Sequence, residues 1–262
     1  MKFQHIKKVL LLVLLAGTVT SIQNTKIAER KATDTSTANK QQTANYSKSL
    51  ALSRYIPNLG FGNVIANFFF LEFLQYFGDE ETRKYSGYEQ NPDYFATILK
   101  HDYNFRDFYL FLSESTTFYA GLPEKAVALM NDGLSRMEEN RSSDSYYIWR
   151  YKGTNELLFL ADSEAARSSF VMAANWAEQS NHPSAVHIEM LSRRTAEFLA
   201  SDPDSRTAQI DSWSSILTTT SQENIQARAI ERIEALGGSV ITRNNRIISV
   251  QYSATDNPVE EN

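Results

Sequence analysis

Five positions in this chain recur forty residues apart and keep their class. Tyr109, Ser113, Ala126, Met130 and Gly133 map one to one onto Trp149, Gly153, Ala166, Phe170 and Ala173. In each set the order is large aromatic, small, then small, large, small. The first two positions lie four residues apart and so share a helix face. The last three, four and three apart, mark one face of a second helix. Small residues let helix backbones approach, and large ones fill the space between units. A two-helix unit of this length cannot bury its apolar face alone, so the units must stack. The expectation is an all-α chain of stacked helical hairpins, a solenoid, which offers a surface for holding other molecules.

The rest of the chain is organised around that repeat. Lys2, His5, Lys7 and Lys8 precede the apolar run Val9 to Ile22, which at fourteen residues is short for a bilayer span of about twenty. A secretory signal peptide or membrane anchor over 1–22 is expected, with Val19-Thr20-Ser21 as a cleavage tripeptide. The positive charge before the apolar run places the remainder of the chain outside the cytoplasm, in a periplasm, a thylakoid lumen or on the non-cytoplasmic face of a membrane. Residues 23–50, rich in Thr, Gln, Asn, Ser, Ala and Lys, bury too little apolar surface to order themselves and read as a disordered polar linker. A helical-repeat domain is expected over 51–238. It begins with the apolar stretch Leu59 to Phe77, whose Asn63, Asn67, Glu72 and Gln75 argue for a buried first helix over a membrane span. Further helices are expected at 92–100, 105–120 paired with 123–137, 146–160 with 163–179, 184–199 with 203–218, and 224–236, the last stopped by Gly237-Gly238. Two β-branched runs around Arg243-Asn244-Asn245-Arg246 predict a hairpin over 239–254, packed on the last helix because a lone hairpin is barely stable. The acidic residues 255–262 complete the chain as a disordered tail.

Composition removes several kinds of chemistry. There is no cysteine, so disulfides, thiolate metal sites and cysteine nucleophiles are excluded. The formal net charge of -5 and the lack of a basic stripe argue against a nucleic-acid partner. The four histidines include no His-Glu-x-x-His, and His101 is expected at a surface turn. Gly-x-Ser-x-Gly and phosphate-loop patterns are missing too. No cofactor, metal or catalytic residue is expected. Glu72 and Glu156, each embedded in an apolar helical run, should pair with a cation such as Arg106, Arg150 or Lys152. The many Tyr, Phe and Trp residues between Phe105 and Tyr151 exceed what one buried face holds, so some are free to line a groove.

At the recurring positions the chain resembles the tetratricopeptide repeat, which places an aromatic and a small residue on its first helix and an Ala-aromatic-Ala trio on its second. Trp149, Gly153, Ala166, Phe170 and Ala173 follow that order, and His101 to Phe105 stand where the family places its Asp-Pro-Asn link. The match covers about residues 103–182 and departs in two ways: the period is forty instead of thirty-four, and Tyr103 replaces the proline of the link. An ordinary helical bundle with two matching hairpins stays open. Leu59-Gly60-Phe61-Gly62-Asn63, Leu74 to Asp79, Tyr147 to Gly153 and Ile233 to Gly238 also make Asn58–Gly238 similar to a family of exported cyanobacterial proteins. That likeness implies a shared helical-repeat fold and brings no activity with it.

The tetratricopeptide resemblance implies a right-handed helical-hairpin solenoid whose first helices line the inner face. Its expected role is a non-catalytic protein-binding scaffold or assembly factor at a membrane, engaging a protein partner or membrane complex. Tyr109, Glu114, Arg150, Asn155 and Glu156 are the contact residues it implies. The alternative is an α-helical carbohydrate-binding or carbohydrate-acting protein, its aromatic groove furnished with an Asp/Glu pair about 5–10 Å apart.

Overall fold

The computed structural model describes residues 48–80, 83, 86–137, 142–243 and 246–252. The expected leader, most of the linker, the acidic tail and the Asn244-Asn245 turn lie outside these residues. The protein is mostly helical, with a two-stranded antiparallel sheet at its C-terminal end.

Helix begins at 48–53, inside the segment expected to be linker, because Leu50 has a burial site: it is 2% exposed and its carbonyl accepts the Thr97 hydroxyl at 3.0 Å. Helix α1 (Gly62–Gly78) opens after Leu59-Gly60, both at positive φ. Gly62 is needed there, since a Cβ would sit 2.5 Å from the carbonyl oxygen of His101. Helix α1 crosses α2 (Asn91–His101), which starts on Pro92 in its first turn. His101 is not a surface residue. It is buried, with its ring nitrogens 2.5 Å from Asn58 Oδ1 and 3.0 Å from the Ser53 carbonyl. Nor is α1 wholly buried as expected. Only Ala66, Phe69 and Phe73 are interior, while Phe61, Val64, Phe68, Leu71 and Leu74 are exposed on the other side. Among the described residues no helix is long and apolar enough to cross a membrane.

Two hairpins come next. In the first, α3 (Arg106–Leu112) runs into a π-helix (Ser113–Tyr119), then turns into α4 (Pro123–Arg136). The second joins α5 (Tyr146–Leu158) to α6 (Ser163–Glu178). Their turns share one hydrogen-bond pattern at an offset of forty. Ala120 N–H and Leu160 N–H donate to the carbonyls of Ser115 and Asn155, while Leu122 N–H and Asp162 N–H donate to those of Thr116 and Glu156. Both turns pivot on a left-handed residue, Gly121 at φ 62° and Ala161 at φ 56°. Nine of the ten recurring positions are buried; only Trp149 is half-exposed. The notch at Gly133 receives Tyr109, whose hydroxyl would lie 2.0 Å from an added Cβ. A Cβ added at Gly153 would lie 3.1 Å from the Phe170 ring and 3.2 Å from Ser169 Cβ, while Ala166 packs with Ala196 and Leu199. The close crossing is therefore Gly153 against Ser169 and Phe170.

Helix α7 (Ala185–Ala200) packs chiefly on α6, and α8 (Arg206–Thr219) on α9 (Glu223–Ala235), so the pairing of 184–199 with 203–218 expected from the turn does not form. The cause is the apolar face of α8. Ile210, Trp213, Ile216 and Leu217 bury with Ile225, Ala229 and Ile233 of α9, and Trp213 meets Phe159 edge-on at 5.7 Å. Helix α9 then closes on earlier parts of the chain. Gln222 Nε2 donates to the Arg83 carbonyl and Arg228 Nη1 to the Gly121 carbonyl, both at 2.9 Å. Strands β1 (Gly238–Arg243) and β2 (Arg246–Tyr252) pair with a bulge at Ile241/Thr242, and Val240 and Val250 rest on the α8–α9 cluster.

Candidate functional site

Helix α5 has two chemically different faces. Tyr146, Ile148, Lys152, Gly153, Asn155 and Glu156 point inward and are buried. Tyr147, Arg150, Tyr151 and Thr154, spaced three, one and three apart, form the outer face.

The inner face holds two closed polar networks. Lys152 Nζ lies 2.5 Å from Glu156 Oε1 and donates to Ser169 Oγ at 2.8 Å, while Ser169 Oγ donates to Glu156 Oε2 at 2.6 Å. Glu156 thus takes Lys152 from its own helix, one turn back. A buried ion pair survives desolvation when its remaining hydrogen-bonding positions are met, as Ser169 does here. Asn155 forms the second network. Its Nδ2 donates to Ser113 Oγ and to the Tyr151 carbonyl, each at 2.8 Å, and its Oδ1 accepts from Thr117 Oγ1 at 2.6 Å. The π-helix brings Ser113 and Thr117 into reach together, which ties α5 to the first hairpin.

Of the five contact residues expected from sequence, three are therefore interior. Asn155 and Glu156 are satisfied within the networks just described. Tyr109 is fully buried, donates to the Tyr103 carbonyl at 2.7 Å, and burial pushes its phenol above the usual tyrosine range. None of the three presents a side chain to a partner. Glu114 is exposed on the π-helix and Arg150 is half-buried on α5, so the structure does not gather the five into one site.

Arg150 is chemically unusual. One N–H of its guanidinium donates to Ser192 Oγ of α7 at 2.8 Å, and the group lies 5.6 Å from the centre of the Phe170 ring. No carboxylate among the described residues lies within 4.0 Å of it. Burial lowers its pKa, with only the phenols of Tyr147 and Tyr151 opposing the shift. Those two rings stack at 6.3 Å and 20°. The acids that act on Tyr151, Asp107 and Asp144, both engage Arg106, Asp144 at 3.3 Å, and Arg106 in turn sits 5.4 Å from the Tyr147 ring. A guanidinium carries five N–H donors and one is used here, so Arg150 keeps capacity for a bidentate carboxylate. Tyr147, Tyr151 and Ser192 were not among the residues expected. The sequence signal for the two tyrosines was present, since both lie on the helix face of Arg150; Ser192 comes from another helix and left none.

The protein is helical, and α5 carries a cationic, tyrosine-lined patch tied to α7 through Ser192. No protein-family model, curated protein or solved structure matches the chain.

Proposed function

We propose that the protein is a non-catalytic scaffold or assembly factor at the non-cytoplasmic side of a membrane, built on a tetratricopeptide-like repeat. It captures an acidic segment of a protein partner at Arg150. The repeat reading draws support from the two turns that share hydrogen bonds and left-handed pivots forty residues apart. The observation that carries the function is Arg150 itself: a half-buried cation, flanked by Tyr147 and Tyr151, with no carboxylate among the described residues within 4.0 Å. A charge left partly desolvated and unpaired weakens a fold, so its pairing with an incoming carboxylate releases free energy to binding. The repeat also places the first helices of successive hairpins side by side, which spreads contacts over an extended surface.

The test is direct binding of fluorescent Asp/Glu-rich peptides, with capture from solubilised membranes beside it. Arg150→Glu is expected to weaken peptide binding at least tenfold and to reduce its salt dependence, with the thermal melt little changed. Equal binding by wild type and Arg150→Glu overturns the reading. Turnover of oligosaccharides by the purified protein, lost in Glu114→Gln, would replace it with the carbohydrate alternative.

A further inference from the structure

The outer face of α1 has no partner among the described residues. Phe61, Val64, Phe68, Leu71 and Leu74 fall three or four residues apart and line one side of the helix. Val64, Phe68 and Leu71 are 59%, 55% and 60% exposed. The stripe runs about 20 Å along α1. It continues into the preceding segment, where Leu52, Tyr55 and Ile56 are exposed as well. From Tyr55 to Leu71 the sequence holds no charged residue. At the N-terminal end of the stripe lies an open depression of about 340 Å³, lined by Tyr55, Ile56, Asn58, His101 and the cations Lys100 and Arg54, the latter paired with Asp93 at 3.1 Å. Lys48, also exposed, opens the helix over 48–53.

We propose that this face docks flat on a bilayer containing anionic lipid, with the α1 stripe in the acyl boundary and Arg54 and Lys100 at the headgroups. The charge pattern selects this occupant. An uncharged strip of aliphatic and aromatic residues interspersed with Asn63, Asn67 and Gln75, bordered at one end by Lys100 and the Arg54–Asp93 pair, matches the mixed interfacial region of a membrane, where apolar burial and attraction to anionic headgroups act together. The length of the preceding chain agrees. Between the apolar run ending at Ile22 and Lys48 stand 25 residues, which reach at most about 80–90 Å fully extended. With that run in a membrane, the face is confined beside the same surface, and docking becomes an intramolecular event at high effective concentration. The proposal rests on the membrane-proximal reading for this confinement alone.

Because the protein has no cysteine, a single Val64→Cys can carry an environment-sensitive fluorophore such as NBD in the full-length chain, with Val186→Cys on α7 as the control. Both positions are exposed and apolar, so labelling perturbs neither core. With the protein reconstituted in phosphatidylcholine vesicles carrying increasing phosphatidylglycerol, the label at 64 is expected to brighten several-fold and to be quenched by nitroxide lipids. The label at 186 stays water-like. Lys100→Gln should lower the docked-to-undocked ratio about fivefold at a given lipid composition. A water-like label at 64 in every vesicle overturns the proposal, and so does an equal response at 64 and 186. Brightening without vesicles, together with disulfide cross-linking between two copies of the unlabelled Val64→Cys variant, assigns the face to a second copy of the chain and overturns it too. Arg150→Glu should leave the response at 64 unchanged, so failure of peptide capture and failure of docking are read separately.

Discussion

Replacing Ala161 with glycine should stabilise this protein, although glycine normally weakens a helical chain. Ala161 sits at φ 56° in the α5–α6 turn and its side chain is exposed, so the substitution removes backbone strain without removing packing. A residue with a Cβ in the left-handed region costs about 1–2 kcal/mol. Glycine returns roughly 0.5–1 kcal/mol through the freedom it gives the unfolded chain. The net gain is about 0.5–1 kcal/mol, or roughly 1–4 °C in Tm for a domain of this size. Gly121, forty residues earlier, makes the converse test. At φ 62° it already escapes the strain, and an added Cβ would lie 3.0 Å from Ile225 Cγ2 on α9. Gly121→Ala therefore combines strain with overpacking and should cost about 1–3 kcal/mol. Urea unfolding with an unchanged m-value reads both. A lower midpoint for Ala161→Gly, or indifference to Gly121→Ala, refutes the claim that the two turns are the same device at the stated offset.

The packing and the sequence set three further outcomes. Ala166→Phe should destabilise the fold by about 1–3 kcal/mol, because Ala166 is fully buried against Ala196 and Leu199, whereas Ala161→Phe in the exposed turn should be milder; equal thermal melts would contradict this. Burial raises the Tyr76 phenol from its ordinary value of 10.0 to about 12, so stability should hold below pH 10 and fall as pH rises from about 10 to about 12, and Tyr76→Phe should flatten that fall in alkaline unfolding curves. A C-terminal reporter active only in the cytoplasm should stay silent, since Lys2, Lys7 and Lys8 precede the apolar run; an active reporter would refute export.

The parts of the fold that were legible are those written in local pattern. Pro92, Pro123-Glu124 and Ser163-Glu164 mark helix entries, although the cap of α6 is Asp162, one residue earlier, whose Oδ1 accepts the Ala165 N–H at 2.9 Å. The β-branched runs flanking Arg243–Arg246 marked the hairpin for a similar reason. What escaped depends on which distant surface a helix face meets. The apolar stripe of α8 could equally have served α7, and only the space between Phe159, Phe118 and α9 decides that it turns away. The apolar character of α1 was plain, but its interior takes three side chains on one side, and periodicity does not say that no described residue covers the opposite side. Contact residues were misplaced because family-like spacing identifies a helix position, not whether the neighbouring helix already satisfies it; Ser113, Thr117 and Ser169 do so for Asn155 and Glu156.

Helix α5 carries two cations within three positions, and their different circumstances give the contact face its meaning. Lys152 is inside, and the chain supplies it with a carboxylate one turn away and a hydroxyl from the next helix. Arg150 is only half-buried, and the acids that act on its neighbour Tyr151, Asp107 and Asp144, are drawn to Arg106. Pairing Arg150 internally would have needed only a Glu or Asp at Thr154, one turn on along the same face. Thr154→Glu is thus a test made from the protein's own logic. It should supply the missing partner, raise stability by a few tenths of a kcal/mol, and compete with acidic peptides at Arg150. Stabilisation without weakened peptide binding would show that the cation is not the contact, and would move the search for the partner site to the exposed faces of α7 or the π-helix.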